Sequence, residues 1–238
     1  MQTVLDSFVR ALRDLPAPRV LAVLLIPPLA GLAVWGVLAW AFAEDWARWI
    51  ADFIARSSWL TWIGNLGLTG VFVWASGIAA LAVLLPIVLI TAILVTDLVA
   101  MPIVVPWIAA RRFPGLAERK GGTVMGSVFN TTGTIVIFIL MWIVTLPLWF
   151  TGIGALVLPP VLSAFLNQRL FRYEALSEHA SAEEYRAVLS RAGGRLYLLG
   201  LLLAFVYYIP VVNLAAPVLS ALAFTHFCLG ELAKLRGK

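Results

Sequence analysis

A chain of 238 residues with 62% hydrophobic residues, 12% charged residues and a mean hydropathy of +0.99 lies outside the composition of a soluble domain, which is about 45–50% apolar and about 25% charged. It reads as an all-α integral membrane protein. The net charge of +5 comes from 17 basic residues scattered between apolar runs; they make no continuous basic stripe, so a nucleic-acid partner is excluded and cytoplasmic loops are favoured. A single cysteine, Cys228, excludes a disulfide framework.

In residues 1–15, Leu5, Phe8, Val9, Leu12 and Leu15 recur at helical spacing, with Asp6, Arg10, Arg13 and Asp14 on the other face. This predicts an amphipathic helix lying on the membrane surface. Val20 to Ala43 runs for 24 residues without a charge; at a rise of about 1.5 Å it reaches about 36 Å and crosses a hydrocarbon core of about 30 Å. Residues 20–43 are therefore a membrane helix. Ala41-Phe42-Ala43 imitates a cleavage site, but the run exceeds the signal-peptide core of about 7–15 residues, so an uncleaved anchor is expected. Between Glu44 and Ser58 the acids Glu44, Asp45 and Asp52 outnumber Arg48 and Arg56, and Trp40, Trp46, Trp49, Trp59 and Trp62 surround the stretch. That pattern predicts a non-cytoplasmic loop with interfacial anchors. A second membrane helix is expected over 68–96, continuing as a Pro-rich segment that ends at Arg111-Arg112.

Two helical hairpins follow, over 124–166 and 196–229, separated by a polar, cytoplasmic helical segment over 167–195. In that segment Ser181 and Glu184 have capping-box spacing, and Gly193-Gly194 is expected to stop a helix. The second hairpin is split by Pro210 and Pro217. Its arms, about 14 and about 12 residues long, reach only about 18–21 Å, short of a core of about 30 Å. Such a hairpin turns back inside the bilayer, with its break buried in protein or lining a wet cavity. Two ordinary hairpins with proline turns at the far surface are the alternative. The first hairpin, with Val128 to Leu146 spanning about 28 Å, fits either case. Fifteen basic residues, from Arg10 to Lys238, then fall on one side and only Arg48 and Arg56 on the other. By the positive-inside rule both termini are cytoplasmic.

No His-Glu-x-x-His, phosphate-cradling glycine loop or Gly-x-Ser-x-Gly elbow occurs, so no catalytic residue, enzyme activity or cofactor is expected. His226 and Cys228 are too few ligands for a metal, and His179 is expected to be solvated. Asp97, the one acid within a long apolar run, is either a proton relay or an interfacial, salt-bridged residue. Asn130, Thr131, Thr132 and Thr134 line a pathway or bond between helices. Asn213 lies at the re-entrant turn, where it could cap the next half-helix or face the pathway. Pro16 and Pro18 start the first span near Arg19. The free N–H groups of its first turn, at Arg19 and Val20, form an anion site with the Arg19 guanidinium. In the alternative reading Arg19 is a snorkelling positive-inside anchor.

A Pro-x-x-Arg-like entry to the first span, Pro147 with Gly152-Ile153-Gly154, the Tyr173-Glu174 segment and Ile209-Pro210-Val211-Val212-Asn213-Leu214 through Pro217 together resemble the CysZ family of bacterial sulfate permeases, which also has an etoposide-induced eukaryotic branch. The resemblance runs from about Phe8 to about Leu232. It implies two long spanning helices and two pairs of half-penetrating helices in the bacterial inner membrane. It also implies a homo-oligomer that passes sulfate, a small inorganic anion, inward for cysteine biosynthesis. This chain departs from a Gly-x-Arg-Arg turn, carrying Ala17-Pro18-Arg19-Val20 with one of the two arginines. The expected function is an anion permease of the sulfate type; the alternative is a membrane scaffold or interaction protein of the same family that does not transport.

Overall fold

The computed structural model describes residues 4–56, 91, 99–209 and 212–237. Asp97, Pro210 and nearly all of the 68–96 helix lie outside them. The described residues are helical, with no strand among them: α1 Val4–Asp14, α2 Pro18–Ala41, α3 Ala43–Arg56, α4 over 99–112, α5 Val124–Trp149, α6 Ile153–Ser177, α7 Ala182–Val206, a 3-10 turn Val212–Ala215 and α8 Ala216–Leu235. Five segments among the described residues are long and apolar enough to cross a bilayer: Pro18–Ala41, Met125–Trp149, Ile153–Ser177, Ala182–Val206 and Val212–Leu235. The chain is a multi-pass membrane protein. It divides into one unit of Met1–Leu24 with Thr96–Lys238 and another of Leu25–Val95.

In the first unit α8 is the central helix, packed by α1, α6 and α7. Every residue from Ala216 to Leu232 is buried. That stretch offers no polar face, and a helix that is apolar all round belongs inside. Within lipid, close packing rather than hydrophobic burial holds helices together, so small residues matter. Phe171 of α6 stacks on Phe224 of α8 at 5.7 Å. A Cβ on Gly200 of α7 would lie 2.7 Å from the Ala164 carbonyl of α6, so glycine there is what lets the two backbones meet. Tyr197 of α7 donates to the Val161 carbonyl of α6 at 2.9 Å.

The α5–α6 turn is built on Gly152 at φ 71, a left-handed conformation that glycine adopts without a Cβ penalty. Thr151 Oγ1 donates to the Leu148 carbonyl and accepts from the Gly154 N–H. Pro159 and Pro160 lie inside α6 without ending it. The expected 167–195 segment is not a separate element: α6 runs from apolar Ile153 into the polar Ser177, and α7 runs from the polar Glu183 into apolar Val206. Ser181 and Glu184 close the capping box between them, at 3.2 and 2.9 Å. Gly193-Gly194 does not stop the helix. Two interior glycines cost about 1 kcal/mol each, but Val188, Ala192, Leu196 and Leu199 form a buried stripe across them, and that packing prevails.

Helix α1 is amphipathic, as its spacing predicts, and the face opposite the apolar stripe packs into the protein. Its buried line is Ser7, Ala11 and Asp14, while Leu5, Val9 and Leu12 are exposed. Small residues let α1 approach α8 closely, and the apolar stripe is left to face outward. In the second unit the expected loop over 44–58 is helical as Ala43–Arg56. Glu44 and Asp45 in its first turn and Arg56 in its last complement the helix dipole, and Phe42 stacks on Trp46 at 6.4 Å.

Candidate functional site

Helix α2 begins at Pro18, where a missing N–H costs nothing because the first turn has no acceptor for it. Arg19 follows, with an exposed side chain, while the Val20 side chain is buried in the core. The Leu21 N–H already donates to the Ala17 carbonyl at 2.9 Å, so only the N–H groups before it belong to the open end. Arg19 and Val20 line a shallow depression with Ile103, Val104 and Trp107 of α4. That surface is apolar except for the guanidinium.

Asn130 and Thr134 lie one turn apart on α5 and face α6. The Asn130 side chain donates to the Arg169 carbonyl at 3.2 Å. Thr134 is fully buried, and its hydroxyl has no hydrogen-bond partner. Ser127, one turn earlier, hydrogen-bonds to Glu174. Ser127, Asn130 and Thr134 thus make a polar seam between two packed helices, with Thr131 beside it half-buried and Thr132 exposed. Asn213 stands apart from this seam, in the 3-10 turn beyond α7, where its N–H donates to the Ile209 carbonyl at 3.0 Å. It does not cap α8. The N-cap there is Ala215, without a side-chain cap bond, because Pro217 in the first turn leaves one N–H fewer to satisfy.

Two charged clusters escaped the sequence reading. Asp14, on the supposedly solvated face of α1, is 5% exposed. Its Oδ2 lies 2.9 Å from His226 Nε2 of α8, and its Oδ1 accepts from Arg112 of α4 at 3.0 Å. A carboxylate only accepts, so Nε2 carries the proton donated to Asp14, while Nδ1 is buried without a partner. The signal for this pair was a lone imidazole in an apolar helix, since a buried polar group needs a partner.

The second cluster ties the turn before α7 to the carboxyl-terminal end. Arg236 grips Glu184 with two bonds of 3.0 and 2.8 Å and donates to the carbonyls of Ala117 and His179. Arg119 reaches Glu184 at 2.8 Å. The loop after α4 docks through its backbone: Arg119 and Lys120 donate to the Glu178 carbonyl, Gly121 to Ala180 and Gly122 to Ser177. His179, expected to be solvated, is instead 3% exposed beneath this loop. Burial holds its imidazole below the ordinary value; Glu118 and Glu178 pull the other way and Arg236 adds to the lowering. Among the described residues no three His, Cys, Asp or Glu side chains converge as a metal ligand set.

A profile of the family described as sulfate transporter CysZ/etoposide-induced protein 2.4 matches residues 7–217. No curated protein and no solved structure matches the chain. The matched stretch takes in α1 from Ser7, the entry to α2, the α5–α6 hairpin and the turn that holds Asn213, and it stops two residues into α8. With nearly the whole chain matched, this protein belongs to the sulfate transporter CysZ/etoposide-induced protein 2.4 family.

Proposed function

We propose that the chain is an inner-membrane permease for a small inorganic oxyanion of the sulfate type, with both termini cytoplasmic, working as a homo-oligomer. Arg19 and the open N–H groups of the first turn of α2, including that of Val20, form its entry site. The observation that carries the reading is the start of α2 at Pro18, which leaves the exposed Arg19 guanidinium at the positive end of a 24-residue apolar helix. A helix N-terminus with an adjacent guanidinium favours a tetrahedral oxyanion.

Part-way insertion of the two hairpins is supported by where apolar side chains meet the outside. Among the described residues, large exposed apolar side chains occur from Ile153 to Val157 and again from Leu198 to Leu214, with none between. The exposed large apolar side chains of α6 and α7 are thus confined to the ends nearest the two tips. Helix α5 by contrast exposes Val128, Val136, Leu140 and Val144 along its length, surface available to lipid or to a neighbouring copy.

The test is sulfate binding by calorimetry with Arg19→Lys, which keeps the charge and the topology but loses the two-pronged grip. The affinity should fall by about tenfold. Unchanged affinity would remove Arg19 from the site, and no binding in the parent protein would favour the scaffold reading.

A further inference from the structure

Arg169 and Arg172 lie one turn apart on α6, just past the end of its apolar run at Leu166. Both are half-buried, and the Nε atom of each is buried without a hydrogen-bond partner. Among the described residues neither forms an ion pair with a carboxylate. Three acids of this unit pair with other cations: Glu184 with Arg119 and Arg236, Glu231 with Arg195 and Lys234, Asp14 with Arg112. Glu174, the acid nearest in sequence, bonds to Ser127.

Among the described residues, the contacts found at the two guanidiniums are with neutral groups. Arg172 Nη1 donates to Gln168 Oε1 at 2.6 Å, and the Tyr185 hydroxyl of α7 faces it. The Arg169 guanidinium lies over the Phe165 ring at 5.5 Å. Taking a cation part-way out of water without a counter-charge is costly, and a guanidinium carries five donors in a planar fork shaped for a carboxylate, sulfate or phosphate. Two such forks at i and i+3 share one helix face.

We infer that Arg169 and Arg172 together bind an oxyanion, a sulfate or a phosphate group, at the polar end of the α6 membrane arm, with Gln168 and Tyr185 as neutral partners. Free sulfate there would be a second station of the proposed permease, and to that extent the inference rests on that reading. A phospholipid headgroup there would not depend on transport at all.

The experiment uses the full chain in a neutral detergent, with Arg19→Ala as the parent so that the α2 entry is silenced. Sulfate and inorganic phosphate are titrated calorimetrically into this parent and into the same protein carrying Arg169→Gln and Arg172→Gln. In parallel, both proteins are extracted from vesicles of phosphatidylglycerol with phosphatidylcholine, and retained phosphatidylglycerol is measured per chain. If the oxyanion is a free ion, the parent binds it and the paired substitution weakens binding by about tenfold or more. If it is a lipid phosphate, the free ions bind neither protein, and retained phosphatidylglycerol falls in the substituted one; the pair would then stand as a lipid site, independently of the permease reading, which the Arg19→Lys titration decides. Unchanged ion binding together with unchanged lipid retention overturns the inference. Should the glutamine variant fail to fold, Arg169→Lys with Arg172→Lys keeps the charge without the fork, and ion affinity and lipid retention equal to the parent's count against it.

Discussion

Asp14 and His226 meet at 2.9 Å across 212 positions of sequence, so the first helix of the chain is pinned to the last. The same carboxylate holds Arg112, and three segments with no sequence proximity depend on one side chain. Asp14→Ala leaves a buried imidazole and a guanidinium without their acceptor. The expected cost is about 3 kcal/mol, the low end for removing one member of a buried pair, because Arg112 reaches solvent. Thermal unfolding in detergent should show it. The combined Asp14→Leu and His226→Leu change should be milder than Asp14→Ala, since no polar group is then stranded between α1 and α8. Equal stability of Asp14→Ala and the parent would mean that α1 is not held by this contact.

Glycines at two places on α7 should respond in opposite directions. A Cβ on Gly200 would stand 2.7 Å from the Ala164 carbonyl, while nothing lies within 4 Å of a Cβ on Gly194. Gly200→Ala should therefore force α6 and α7 apart and destabilise by about 1–3 kcal/mol. Gly194→Ala, in a helix interior with open space, should stabilise by about 0.5–1 kcal/mol. Melting temperatures of the two variants, measured side by side, decide it.

His179 gives the protein a pH dependence with a defined sign. Its folded-state value is held below the ordinary 6.5, first by burial, so the unfolded chain takes up its proton more readily. Stability is then full above about pH 6.5 and falls as the pH drops below it, levelling off once the folded form is protonated as well. His179→Gln should flatten the slope between pH 5 and pH 7, in the order of the ordinary histidine range. A slope equal to the parent's would assign the dependence to other groups.

Orientation can be read by impermeant thiol reagents, because the native Cys228 is fully buried and should stay silent. Cysteines are best placed at Glu44, Glu118 and Glu183, all exposed. Gly121 is unsuitable: a Cβ there would meet the Ala180 carbonyl at 2.3 Å. From the outside only Glu44→Cys should label, as the division of basic residues requires. Labelling of Glu118→Cys or Glu183→Cys from outside would invert the proposed topology.

What the sequence alone determined was whatever local chemistry dictates. Hydropathy over some twenty residues marks a membrane helix whatever surrounds it, and the capping box of Ser181 and Glu184 is complete within four residues. The start of α2 follows from Pro18 in the same way. Local signals misled where packing could overrule them: Gly193-Gly194 reads as a stop, yet the stripe from Val188 to Leu199 carries α7 through it. The amphipathic stripe of α1 is legible in its spacing, but that the opposite face, at Ser7, Ala11 and Asp14, packs into the protein depends on the approach of α8 and on the partners Asp14 finds there. Only the tertiary structure decided those partners, and it alone half-buried Arg169 and Arg172 where, among the described residues, neither finds a carboxylate. The reason is that an ion pair depends on distance in space, and nothing in the spacing of residues along a chain records which charges folding brings within about 4 Å of each other.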